Sequence, residues 1–108
     1  IEALQKFGHV LGDEFKMEFP TGSGNELNLW QISLELEQRL VGIFRRDSSG
    51  RRAFNGDVDL FQNDDAWRDL FQFNEYFNGC TGAGVGASHQ TGWTAVITKM
   101  MTQLQRWR

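Results

Sequence analysis

The chain has 108 residues, a length that suits one small domain or part of a larger one. Its formal charge of -3 leaves no electrostatic footprint of a nucleic-acid binder, and no apolar run approaches the roughly 18–20 residues that cross a bilayer. The single cysteine, Cys80, excludes an internal disulfide and a cysteine-only metal site, and reads as a small part-buried apolar residue.

The first residues, Ile1 to Val10 (IEALQKFGHV), lack the basic and apolar regions of a leader, and a cytoplasmic location is favoured. A chain that opens on Ile1 rather than Met reads as a piece of a longer one. In residues 2–11, Ala3, Leu4, Phe7, Val10 and Leu11 share one helical face, and Gly12 is placed to stop that helix. Phe15 to Phe19 alternates apolar with charged residues, which predicts a short extended segment, and Pro20 to Gly24 follows as a loop. Asn28 reads as the N-cap of a long helix in which Leu29, Ile32, Leu36, Leu40 and Ile43 step by three or four. Arg45 and Arg46 are expected in its last turn, where the dipole favours cations, and Asp47 to Arg52 is a solvated turn. Asp64 or Asp65 is placed to cap a further helix carrying Trp67, Leu70, Phe71 and Asn74. A glycine-rich loop follows from Gly79 to Gly92. Thr91 then caps a last helix with an apolar stripe of Trp93, Val96, Ile97, Met100, Met101 and Leu104. The methionine pair is expected in the core rather than against a cofactor. Four helical segments and one short extended segment make the predicted fold class all-α.

Aromatic residues reach 13%, with nine Phe and four Trp, while a chain this short buries a modest core. Many of these rings are therefore expected to need neighbours beyond the chain. Gly82 to Ala87 fits G-x-G-x-x-A, but a dinucleotide fingerprint needs a buried strand before it and a βαβ unit with an acidic residue after it. Here 21 residues follow Ala87 and none of them is acidic, so no cofactor is implied and the glycines suit close backbone approach. Ser88 and His89 are adjacent, and neighbours in sequence rarely face one another as nucleophile and base. His9 offers no metal-ligand spacing to His89. Glu75 lies in Phe71-Gln72-Phe73-Asn74-Glu75-Tyr76-Phe77, where surrounding rings would partly desolvate a carboxylate, a setting suited to acid or base work; a solvent-facing helical Glu is the ordinary alternative. Trp67, Tyr76 and Trp93 have the flat faces on which sugar rings stack, though such rings also serve simple packing.

The blocks Phe73 to Gly79 and Thr81 to Thr94 closely resemble the C-terminal signature of glycoside hydrolase family 63-like enzymes, which include processing α-glucosidase and the mannosylglycerate and glucosylglycerate hydrolases. The G-A-S-H-Q-T-G-W stretch, Gly86 to Trp93, is nearer the second branch. Glu18 to Gly24 and Trp67-Arg68-Asp69 are similar to segments of such proteins too. The resemblance implies that residues 1–108 are the C-terminal part of one catalytic domain, the closing helical hairpins of an (α/α)6 barrel. It implies an inverting enzyme acting on an α-glycosidic bond of glucosyl- or mannosyl-glycerate or an α-gluco-oligosaccharide, with one carboxylate as acid and one as base. Glu75 then corresponds to the base, Gln90 to a sugar contact, and His89, Trp93 and Tyr76 to its neighbours. Carbohydrate and the rest of the domain are the implied partners, with no metal. None of Asp13, Asp47, Asp57, Asp59, Asp64, Asp65 or Asp69 matches the acid, which is expected outside this chain. Asn74, Asn78 and Cys80 depart from the family's aromatic, His and Asp. The rival expectation is a helical carbohydrate-binding or interaction module without chemistry.

Overall fold

The computed structural model describes residues 1–89 and 92–106, which form two compact units, Ile1–Arg39 and Leu40–Arg108. The first opens with α1 (Glu2–Leu11), which ends where expected: Gly12 takes a φ of 77° and its N–H donates to the Gly8 carbonyl at 3.0 Å. The apolar stripe of α1 stays largely uncovered, since Phe7, Val10 and Leu11 are all exposed. Strands β1 (Lys16–Glu18) and β2 (Glu26–Asn28) pair antiparallel, with Met17 opposite Leu27. The loop between them is gathered by Glu18, whose carboxylate accepts the Gly24 N–H at 2.7 Å. Hydrogen bonds from the Gly22 and Gly24 backbones hold that carboxyl below its ordinary range.

Helix α2 (Leu29–Gly42) starts with a reciprocal cap. Asn28 Oδ1 accepts the Gln31 N–H at 2.8 Å, and Gln31 Oε1 accepts the Asn28 N–H at 3.0 Å. Gly8 lets α1 approach this point, because a Cβ there would lie 3.2 Å from Trp30 N and 3.4 Å from Leu29 Cβ. Leu29, Ile32, Ser33 and Glu37 of α2 are buried, and Gln5 Nε2 donates to Glu37 Oε1 at 3.1 Å.

The second unit is organised around Phe44, 2% exposed. Its ring centroid lies 5.2 Å from that of Phe54, 5.5 Å from Phe77, 6.1 Å from Phe71 and 6.2 Å from Phe73. Between these rings the chain is held by polar side chains. Asp47 Oδ1 accepts N–H groups of Ser49 and Arg51 and the Ser49 hydroxyl, closing a turn flanked by an Arg46–Arg52 bridge. Buried Gln62, in α3 (Asp59–Asn63), donates to the carbonyls of Arg52 and Gly56 and accepts the Arg52 N–H, each at 2.9 Å. It thereby secures the 3₁₀ turn Ala53–Asn55. A two-stranded hairpin, β3 (Tyr76–Phe77) with β4 (Gly84–Val85), follows. The chain then enters a 3₁₀ turn, Trp93–Val96, and α4 (Ile97–Arg106), which buries Ile97 and Leu104.

The fold class is therefore corrected from all-α to mixed: 44% of the described structure is helical and 12% strand, in two small antiparallel sheets, and it is not an α/α barrel. Helix α2 ends at Gly42, so Arg45 and Arg46 lie beyond it. The helix expected from Asp64 is a turn, in which Asp64 Oδ1 caps the Ala66 N–H, while the helix itself, α3, lies just before it. After that turn the chain is extended. Phe71 and Phe73 both reach Phe44, whereas Gln72 and Asn74, which alternate with them, are buried, a period of two rather than 3.6. Cys80 is exposed rather than part-buried. The methionine pair lies half-buried on α4, and Thr91 falls outside the described residues.

Removing the Phe44 ring strips contacts from four others. Phe44→Ala is expected to cost about 3–5 kcal/mol, read as a fall in the urea midpoint, with Phe44→Leu costing less. The lowered carboxyls make a pH prediction. Glu18 is joined by Asp47, held down chiefly by the Ser49 hydroxyl and the Arg51 N–H, and by Asp69, held down chiefly by Arg46. A carboxyl depressed on folding stabilises fully above its unfolded value, about pH 4, and loses that contribution as pH falls through its folded value. Thermal unfolding should therefore show Tm falling below about pH 4, with a shallower fall in Asp47→Asn.

Candidate functional site

The block from Phe73 to Ala87 forms one device, the β3–β4 hairpin and its two flanks. Tyr76 pairs with Val85 and Phe77 with Gly84. At the closed end Asn78 makes the turn: its Oδ1 accepts the N–H groups of Cys80 at 2.8 Å and Thr81 at 3.0 Å, and its N–H donates to the Ala83 carbonyl at 2.8 Å. One face of the hairpin is pinned by Asn74, whose buried carboxamide lies over Gly84 so closely that a Cβ there would overlap it. This is a close approach that only glycine permits.

At the open end the chain lines up Glu75 with Ala87. The Glu75 N–H donates to the Ala87 carbonyl at 2.9 Å, and Glu75 Oε2 accepts the Ala87 N–H at 3.4 Å, a long and weak bond. Gly86, at a φ of 75°, is the floor beneath this pair: a Cβ on it would stand 2.6 Å from Glu75 Oε2 and 2.9 Å from the Tyr76 ring. Glu75 is thus a tethered carboxylate on the surface. The enclosure by rings expected of it is not formed, because Phe71, Phe73 and Phe77 turn to Phe44 and leave Glu75 exposed. Its Oε1 has no hydrogen-bond donor among the described residues.

Tyr76, next to Glu75 and 51% exposed, presents its ring at the same edge. His89, two residues past Ala87, is exposed and takes a φ of 62°, a left-handed conformation uncommon outside glycine. Trp93 opens the 3₁₀ turn before α4 and is 68% exposed. No hydrogen bond or ring contact joins His89 or Trp93 to Glu75 among the described residues, and Gln90 lies outside them. Trp67 is half-buried and packs on Phe61, with ring centroids 5.0 Å apart. Among the described residues no group of three or more His, Cys, Asp or Glu is placed to hold a metal, and no helix is long and apolar enough to cross a membrane.

In the sequence Asn74 and Asn78 read as departures from the resemblance, and Gly84 and Gly86 as loop, so the part these four residues play in the hairpin is not apparent there. The missed signal is Asn78-Gly79 directly after the aromatic pair Tyr76-Phe77, a turn dipeptide at the end of a strand.

An uncharacterized protein of Saccharomyces cerevisiae is 45% identical to this chain over 106 residues, an alignment that covers 96% of the chain and 10% of the yeast protein. The chain thus spans about a tenth of the length of this relative. No family model matches, and no solved structure does.

Gly86→Ala forces a side chain into a left-handed position and against Glu75. It is expected to lower stability by at least about 1–2 kcal/mol and to shift the Ala87 amide resonance. Gly84→Ala should be equally disruptive and be partly relieved by adding Asn74→Ala, a non-additivity readable in a double-mutant cycle.

Proposed function

We propose that this chain is the base-bearing part of an inverting glycoside hydrolase, acting on an α-glycosidic bond of glucosyl- or mannosyl-glycerate or an α-gluco-oligosaccharide. The observation that carries the reading is Glu75 itself. A carboxylate within the block that resembles the family 63-like signature is exposed, lies against Ala87 on a glycine floor, and has one oxygen with no donor among the described residues. That is what a base needs: an accessible oxygen in a defined place, free to take a proton from water.

In the proposed reaction an acid outside these 108 residues protonates the glycosidic oxygen. Glu75 removes a proton from a water molecule that attacks the anomeric carbon from the opposite face, and the configuration inverts. Tyr76 and Trp93, both exposed, offer ring faces to the sugar. His89 and Gln90 follow in the same block as polar contacts.

The test is hydrolysis of those glycosides by the longer protein that carries this chain, with release of the inverted anomer followed by NMR. Glu75→Gln is expected to lower kcat about 10²–10⁴-fold, while Trp93→Ala raises KM. The 108-residue chain alone should not hydrolyse. An unchanged rate in Glu75→Gln overturns the assignment of the base. Saturable sugar binding without hydrolysis by the longer protein replaces the reading with a carbohydrate-binding module.

A further inference from the structure

A concave feature lies within the Leu40–Arg108 unit, and no part of the proposed glycosidase chemistry uses it. A cavity of about 550 Å³ is lined by Arg45, Arg46, Arg51 and Arg52, with Asp47 and Asp57 beside them. Its volume falls in the range of about 300–1,000 Å³ usual for small-molecule sites. Thr81 and Ala83, from the closed end of the hairpin, complete one side, so the cavity and Glu75 belong to opposite ends of β3–β4.

Four arginines and two aspartates contribute to this lining, and Asp69 pairs with Arg46 at 2.7 Å, so three carboxylates stand against four cations. Asp47 Oδ1 is engaged by Ser49 and by the Arg51 backbone N–H. Asp57 is fully exposed and meets Arg51 at 3.5 Å, an ion pair that solvent screens. The arginines differ in what holds them. Arg46 donates to the Gly50 and Arg68 carbonyls and to Asp69. Arg52 donates to the Phe44 carbonyl and lies over the Phe71 ring at 4.6 Å, yet its Nε is buried without a hydrogen-bond partner. Burial first, and then the charge of Arg46, push the Arg52 guanidinium below its ordinary range. The Arg45 guanidinium makes no hydrogen bond or ion pair among the described residues. Arg46 and Arg52 are therefore held by backbone carbonyls, by Asp69 and by a ring, and the carboxylates offset only part of the four positive charges.

We infer that this cavity binds a small organic anion through a phosphate or carboxylate group, gripped by Arg45 and Arg51 and drawn in by the fixed charges of Arg46 and Arg52. Guanidinium groups suit either oxyanion because their paired N–H donors match two oxygens at once. A nucleic-acid strand is disfavoured: Asp47 and Asp57 interrupt the positive surface, and the chain as a whole carries -3. The inference stands apart from the glycosidase reading and survives its failure.

The experiment is an NMR titration of the ¹⁵N-labelled full chain with inorganic phosphate, 3-phosphoglycerate and malonate, against glycerol and sodium chloride at matched ionic strength. Saturable shifts in residues 45–53 are expected with the anions, at millimolar Kd or tighter. Glycerol and chloride should produce none. Phosphate outcompeting malonate identifies the phosphoryl group as the recognised one, and the reverse order identifies the carboxylate. Arg45→Ala, which removes a side chain with no partner to orphan, should weaken binding about tenfold, and Arg45→Lys less. Glu75→Gln should leave it unchanged. Shifts reproduced by chloride overturn the inference, as does an unaltered Kd in both Arg45→Ala and Arg51→Ala.

Discussion

The ring of Phe44 stands where the end of α2 gives way to irregular chain, and four later phenylalanines pack around that ring. Phe54, Phe71, Phe73 and Phe77 come from three separate stretches of sequence, none with a long helix or a wide sheet of its own. Elements this short cannot be stable in isolation: a five-residue helix and a two-residue hairpin each lie below the length at which local hydrogen bonds outweigh ordering entropy. They persist because their ends are fastened to a common apolar centre and their polar gaps are closed by Asp47, Gln62 and Asn78. The Glu75 edge inherits its geometry from this arrangement. Phe73 and Phe77 anchor the strand on both sides of Glu75, and of the residues between them Asn74 turns inward onto Gly84 while Glu75 and Tyr76 are presented outward.

What the sequence made legible follows the same division. In residues 1–42 the signals are local and sufficient: a helical stripe stopped by Gly12, alternation from Phe15 to Phe19, and Asn28 ahead of a helix. Each survived in the structure within a residue or so, although β2 was missed because Glu26 to Asn28 alone shows no period. From residue 43 onward the pattern misled. Trp67, Leu70, Phe71 and Asn74 have helical spacing, but burial of Gln72 and Asn74, with Phe71 and Phe73 on Phe44, is decided by residues 20 to 30 positions away. Tertiary packing overrode the local period, which no window of sequence reports.

The candidate site shows a subtler mismatch. Aromatic neighbours and a resemblance single out Glu75 in the sequence; Phe71, Phe73 and Phe77 are near it in the chain but turn away from it in space. What fixes Glu75 is glycine, through the space left at Gly86. Asn74 and Asn78, set aside as departures, are structural parts, one wedged over Gly84 and the other shaping the turn. The arginine-lined cavity had no sequence signature at all, since Arg45 and Arg46 were expected to lie along one helical turn with Arg51 and Arg52 in a solvated loop.

Gln62 illustrates how narrowly one position can be defined by chemistry. Its side chain gives two N–H bonds to carbonyl oxygens and receives one from an N–H. A glutamate there would press oxygen against two oxygens; a lysine would leave the Arg52 amide unanswered; methionine would leave all three backbone groups unanswered while filling a similar volume. An amide of this length alone satisfies all three. Among related chains that keep the Ala53–Asn55 turn, this position should therefore tolerate less exchange than the more deeply buried apolar Val41, for which Ile or Leu would serve.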